Sequence, residues 1–169
     1  MKFRKQLINW LFIISQKIYT QLFKKHQPWN IHKKDLLQLP KDSFGYHLGS
    51  FLQKNGFELI PKVERHDAYH VLTGYSTNVE DEIALQWLCF GNGKRSKYMY
   101  GVIILGTVIL PDYYQYYKKS YRKGKQANTF HHLDYKELLQ TPIEDLRRCF
   151  FTNEEVKKLR QTQLDNSTI

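Results

Sequence analysis

The chain has 169 residues, of which 41% are hydrophobic and 15% aromatic. That composition supports a folded domain with a real core and argues against global disorder. Cys89 and Cys149 stand far apart with no paired spacing, which excludes a disulfide framework and a thiolate zinc site and fits a reducing compartment. The net charge of +10 is uneven: residues 1–34 hold eight Lys or Arg and no acid, and residues 113–125 hold five and no acid. Two basic blocks on a mildly acidic remainder imply anionic partners at particular places: nucleic acid, lipid head groups or a phosphate-bearing ligand.

The first 25 residues read as an amphipathic helix. Phe3, Leu7, Trp10, Leu11, Ile14, Ile18 and Leu22 recur at three- and four-residue spacing, with Lys2, Lys5, Lys17 and Lys24 opposite. The longest uncharged run, Gln6 to Gln16, covers eleven residues, against about 20 needed to span a bilayer. No small-residue cleavage site follows it. Two readings stand: a helix lying on a membrane surface, or a helix packed on the body.

Residues 26–34 form a polar linker, and residues 35–39 a helical turn stopped by Pro40. Ser43 caps a helix from Phe44 to Lys54, closed by Asn55-Gly56. A helix then carries His66 to Thr73 and breaks at 74–78. A second helix runs from Val79 to Phe90, with Thr77 or Asn78 as its cap and Gly91 and Gly93 ending it. Tyr98 to Leu110 is apolar on every side and reads as a buried central helix with a groove alongside it for an apolar ligand. Pro111 ends or kinks it. Asp112 to Arg122 resumes the helix, with Tyr113, Tyr117 and Tyr121 on one face. Two short helices follow, capped at Thr141-Pro142 and at Thr152, and a loose tail begins at Gln161. No period-two pattern appears. The expected fold is all-α: a single compact multi-helix domain over residues 35–160, preceded by the amphipathic helix at 1–25.

The chemistry concentrates in His66-Asp67-Ala68-Tyr69-His70 and Glu82. His66 and His70 lie four apart, so a helix projects them from one face. Asp67 sits about 100° round from His66. The midpoint between His70 and Glu82 is Ser76, inside the turn, so a helical hairpin folds Glu82 back toward the two imidazoles. Two histidines with one or two carboxylates suit a divalent metal. Zn2+ is the first choice, and Fe2+ or Mn2+ also accept these ligands. The plain alternative is a capped helix with solvated charges.

Other constellations are weaker. Lys118, Lys119, Arg122, Lys123 and Lys125 alternate with tyrosines, which suits a solvated helix end or a site for phosphates and lipid head groups. Nucleic acid is disfavoured, because no nucleic-acid motif accompanies them. His131 and His132 are adjacent and point different ways. Asp67 replaces the Glu of the His-Glu-x-x-His peptidase motif. His66-Asp67 also suggests a soluble metal-dependent phosphohydrolase, but the histidine at i+4 is foreign to that class.

The pattern His66-Asp67-x-x-His70 followed by Glu82 resembles the signature of the coenzyme Q (ubiquinone) biosynthesis protein 4 family. Leu39-Pro40, Phe44-Gly45-Tyr46, Phe51-Leu52 and Asn55-Gly56-Phe57 resemble the segment before it. Arg122-x-Gly124-x-x-Ala127, Asp134-Tyr135 and Thr141 to Arg147 resemble the family's closing segment, with Tyr135 where the family usually has tryptophan. The resemblance implies a membrane-associated protein acting on ubiquinone precursors with a polyprenyl tail. It implies either removal of the ring carboxyl with hydroxylation at that carbon, through a metal-dependent decarboxylase, or a non-catalytic scaffold for the other quinone-biosynthesis enzymes. It places His66, Asp67, His70 and Glu82 at the metal; Arg122, which falls within its motif, stands with Lys123 and Lys125 just past the Pro111 break as the candidates for an anionic head group. The implied location is peripheral: the cytoplasmic face of the membrane in a bacterium, or the matrix side of the inner mitochondrial membrane in a eukaryote.

Overall fold

Every regular element among the described residues is helical, as the absence of period-two patterning predicts; one isolated antiparallel bridge joins Ser43 and Pro142. The structure is a computed structural model that describes residues 2–8, 10–12, 27–61 and 63–167, the last five by backbone alone. The first helical stretch, α1, covers residues 2–8 and 10–12. Then come α2 (Lys33–Leu36), α3 (Phe44–Asn55), α4 (Glu64–Thr73), α5 (Val79–Gly91) and α6 (Lys97–Ile109). A 3-10 turn at Pro111–Tyr113 leads into α7 (Tyr114–Gln126), followed by α8 (Ile143–Phe150) and α9 (Asn153–Ser167). These helices sort into two compact units, Met1–His26 with Tyr75–His132, and Gln27–Gly74 with Leu133–Ile169.

In the unit built from Gln27–Gly74 and Leu133–Ile169, local signals set the helix ends. The Ser43 hydroxyl accepts from the Tyr46 N–H at 3.1 Å, satisfying an otherwise orphaned donor of the first turn. Gly56 closes α3 at φ 67, a left-handed position that favours glycine. The Phe44 N–H donates to the Thr141 carbonyl and the Ile143 N–H to the Asp42 carbonyl, so α3 and α8 start side by side. Tyr135 packs against Phe44 and Tyr69, with ring centroids 5.7 and 5.6 Å away. The expected loose tail from Gln161 is corrected: α9 continues to Ser167. The helix is anchored by Val156 and Leu159, three residues apart and both buried.

In the other unit, α5 and α7 touch through glycines. A Cβ on Gly124 would lie 2.0 Å from the Leu88 carbonyl oxygen, and one on Gly91 would lie 2.2 Å from that of Tyr121. The buried Asn92 then ties down the chain beyond α7. Its amide donates to the Gly124 and Asn128 carbonyls, and its oxygen accepts from the Phe130 N–H at 2.9 Å.

Two expectations change here. The Tyr98–Leu110 segment is a helix, but it is not buried all round. Met99, Val102, Ile103 and Gly106 face the core, while Ile104, Leu105 and Val108 are 61%, 54% and 72% exposed. Apolarity on all sides predicted cover on all sides, and the unit covers only one. The other change is at α1. Ile8, outside the stripe expected to be apolar, is buried with Ile83, Ala84, Val102, Leu110 and Tyr117. Phe3 and Trp10 of the expected stripe are 75% and 58% exposed. Arg4 pairs with Asp112 at 2.8 Å and Lys5 with Glu80 at 2.7 Å. Residues 1, 9 and 13–25 of the expected amphipathic helix lie outside the described residues.

Candidate metal centre

The helix α4 starts without a side-chain cap, but Glu64 and Asp67 stand in its first turn, where negative charge complements the helix dipole. The buried Glu64 carboxylate also accepts from the Trp29 N–H at 3.0 Å. Gly74, at φ 77, ends the helix, and its N–H donates to the His70 carbonyl at 2.8 Å. Thus α4 is pinned at both ends.

On this helix His66 and His70 fall on one face, as their spacing predicts. Their Nε2 atoms approach to 3.1 Å, and their rings lie nearly perpendicular with centroids 4.7 Å apart. Phe51 of α3 stacks on His70 with centroids 5.4 Å apart and planes 15° from parallel. This contact holds the His70 ring so that its outer nitrogen meets that of His66. His70 is 2% exposed, while His66 and Asp67 are half-buried.

Glu82 stands in the first turn of α5 with Glu80 and Asp81, half-buried. Neighbouring acids have structural partners: Lys5 holds Glu80, and the Tyr116 hydroxyl donates to Asp81 at 2.6 Å. Of the two expected cap positions, Asn78 is the one at the helix start, without a side-chain cap bond. Instead the Ser76 hydroxyl accepts from the Asn78 N–H at 3.2 Å and donates to Asp81.

The three basic candidates share α7 but not one face. Arg122 and Lys125 are exposed, whereas Lys123 is directed at the Tyr75 ring, 5.8 Å from its centroid. Lys123 and Lys125 lie in the last turn, where positive charge favours the helix C-terminus. Of the tyrosine stripe, Tyr113 in the 3-10 turn and Tyr121 on α7 are half-buried, whereas Tyr117 is buried and its hydroxyl lies in the interior, not at the rim.

Sequence reasoning missed Arg147. It is 1% exposed, and its guanidinium donates to the carbonyls of Leu72 at 3.2 Å and Val71 at 2.8 Å. These are end-of-helix carbonyls that α4 cannot satisfy itself. Burial lowers its pKa to about 10, with Glu144 acting in the opposite direction, so the group stays charged at neutral pH. Both burial and the Arg147 charge hold His47 below the usual imidazole range. An arginine after an Ile-Glu-Asp-Leu helix start looks like a surface residue; no local signal marks it. Arg147→Met is expected to lower stability by about 3 kcal/mol, because two buried carbonyls lose their donor. Arg147→Lys should recover part of that loss. Urea denaturation followed by far-UV circular dichroism measures both, and an unchanged midpoint for the Met variant would contradict the capping role.

A family model, Coenzyme Q (ubiquinone) biosynthesis protein Coq4, matches residues 59–154, more than half of the chain. That span includes the histidine pair, Asp67, Glu82 and Arg122 to Lys125. The chain is also similar to a solved structure from Nostoc punctiforme PCC 73102, provisionally named a ubiquinone biosynthesis protein. The TM-score is 0.63 at 19% identity, covering 89% of this chain and 82% of that one; this likeness concerns the fold. No curated protein matches the chain. The matched span, with the paired imidazoles inside it, establishes that the chain belongs to the coenzyme Q (ubiquinone) biosynthesis protein Coq4 family and has a role in coenzyme Q biosynthesis.

Proposed function

We propose that the protein binds one divalent metal ion through His66, His70 and Glu82 and acts, at a membrane, on a polyprenylated ring precursor of coenzyme Q. The observation that carries this reading is the 3.1 Å separation of the two Nε2 atoms. Two imidazole nitrogens bound to one zinc at about 2.0–2.1 Å in tetrahedral geometry stand roughly 3.3 Å apart. The pair therefore has a spacing that a shared cation accepts with little movement. Glu82 supports the set by its symmetric position about the turn at Ser76, and carboxylate with imidazole is a donor set suited to Zn2+, Fe2+ or Mn2+.

A bound divalent ion supplies Lewis-acid polarisation of a ring carboxylate or ring oxygen. The chain's own residues prepare the place. Phe51 orients His70, Arg147 holds the helix end that carries it, and Asp67 stands beside His66 as a ligand or as an orienting partner for the imidazole. Arg122, Lys123 and Lys125 receive an anionic head group, that of a prenyl phosphate or of the bilayer. Arg122 is the one suited to a bidentate contact.

A turnover assay tests the reading. Metal-loaded full-length protein in vesicles, given a prenylated hydroxybenzoate, is expected to yield a product that has lost the ring carboxyl, detected by mass spectrometry. Lipid that co-purifies without turnover would leave an organising role. Hydrolysis of a water-soluble phosphoester would instead point to a soluble metal hydrolase.

A further inference from the structure

We infer that the exposed face of α6, together with that of α1, inserts into the surface of an anionic bilayer; the inference rests on the membrane association proposed above and names the surface that carries it. Tyr100, Ile104, Leu105 and Val108 are all exposed. On a helix these positions form one stripe. Lys97 begins the same stripe and is exposed, placed to reach head groups while its stem lies on apolar surface. On α1, Phe3, Leu7 and Trp10 form a second exposed stripe.

The two stripes belong to one packed body. Ile8 of α1 is buried with Val102 and Leu110, and Arg4 donates to the Ile109 carbonyl at 3.3 Å. Thus α1 lies along the C-terminal end of α6. The inner face of α6 is closely fitted, since a Cβ on Gly106 would lie 2.7 Å from Ile83. The outer side chains therefore have no room to turn inward. Eight of the ten large apolar side chains exposed among the described residues belong to this unit.

Charge identifies the occupant. The unit Met1–His26 with Tyr75–His132 has fourteen Lys or Arg against four acids, a net of +10, whereas the other unit has twelve of each and is neutral. All the excess charge thus sits in the unit that exposes the apolar stripes. There is no acid on α6, and Asp112 beyond it is paired with Arg4. An apolar face without acids on a cationic body matches an anionic lipid surface, where apolar burial and charge attraction act together. No helix among the described residues is long and apolar enough to cross a membrane, so this insertion lies in the plane of the interface.

The test is flotation of the full-length protein with phosphatidylcholine vesicles, with and without phosphatidylglycerol. The wild type should float with the anionic vesicles. The triple substitution Ile104→Ser, Leu105→Ser, Val108→Ser should reduce the floated fraction at least tenfold, with an unchanged melting curve because the replaced side chains are exposed. As a second readout, Ile104→Cys in a Cys149→Ser background, labelled with a polarity-sensitive dye, should shift to the blue on vesicle addition. A wild type that does not float overturns the membrane reading and this inference together. A wild type and triple variant that float equally overturn the face alone. If the triple substitution instead converts a dimer to a monomer with vesicle binding intact, the face belongs to a second copy and the inference fails.

Discussion

His70→Ala is expected to remove stoichiometric metal from the full-length protein and with it the formation of decarboxylated product. The effect should be large because His70 is the more buried of the two imidazoles and is oriented by Phe51. Loss of groups that merely orient a ligand weakens metal binding about 10–100-fold, so removal of a ligand itself should exceed that. Elemental analysis of protein purified without an affinity metal column measures metal content directly. His66→Gln provides the control for folding, since His66 is half-buried and a glutamine there disturbs packing little. Both variants should lose metal while retaining the wild-type circular dichroism spectrum. Full metal occupancy in both would remove the basis of the proposed function.

Gly124→Ala should unfold the protein at far lower temperature although no chemistry is touched. A methyl there would sit 2.0 Å from the Leu88 carbonyl oxygen and 3.0 Å from the Asn92 nitrogen. These atoms are backbone and cannot swing aside. Alanine favours a helix over glycine by about 1 kcal/mol, but forcing two helices apart costs about 3 kcal/mol or more. The net loss of about 2 kcal/mol corresponds to a fall in Tm of about 4–8 °C. Displacement of Asn92 should add to it, because that amide holds the loop to Phe130. Thermal melts followed by the fluorescence of Trp87, on α5, together with far-UV circular dichroism would show the change. A Tm shift below about 2 °C would mean that the two helices can separate at little cost.

Much of the fold was legible in the residues because its signals are local. Ser43 and Gly56 bound α3 through bonds and dihedrals made within a few residues. Gly74 ends α4 in the same way, and Pro111 separates α6 from α7. The histidine pair was legible for the same reason: a spacing of four on a helix brings two side chains together whatever the surroundings. The stack of Phe51 on His70 was not, since it depends on how α3 lies beside α4.

By itself, then, the sequence determined an all-α chain, most of its helix boundaries, and a metal-type donor pattern at His66, Asp67, His70 and Glu82. Tertiary structure alone decided which side of an apolar helix is covered. Apolar residues surround α6, yet only Met99, Val102, Ile103 and Gly106 meet a core. It also decided that Arg147 caps α4 from 75 residues away, and that Gly124 serves backbone contact with α5 as well as its own helix. The reason is physical: periodicity and capping depend on neighbours along the chain, whereas burial and close approach depend on distant segments. Burial is a property of the surface that packing leaves over, and no short stretch of residues contains that information.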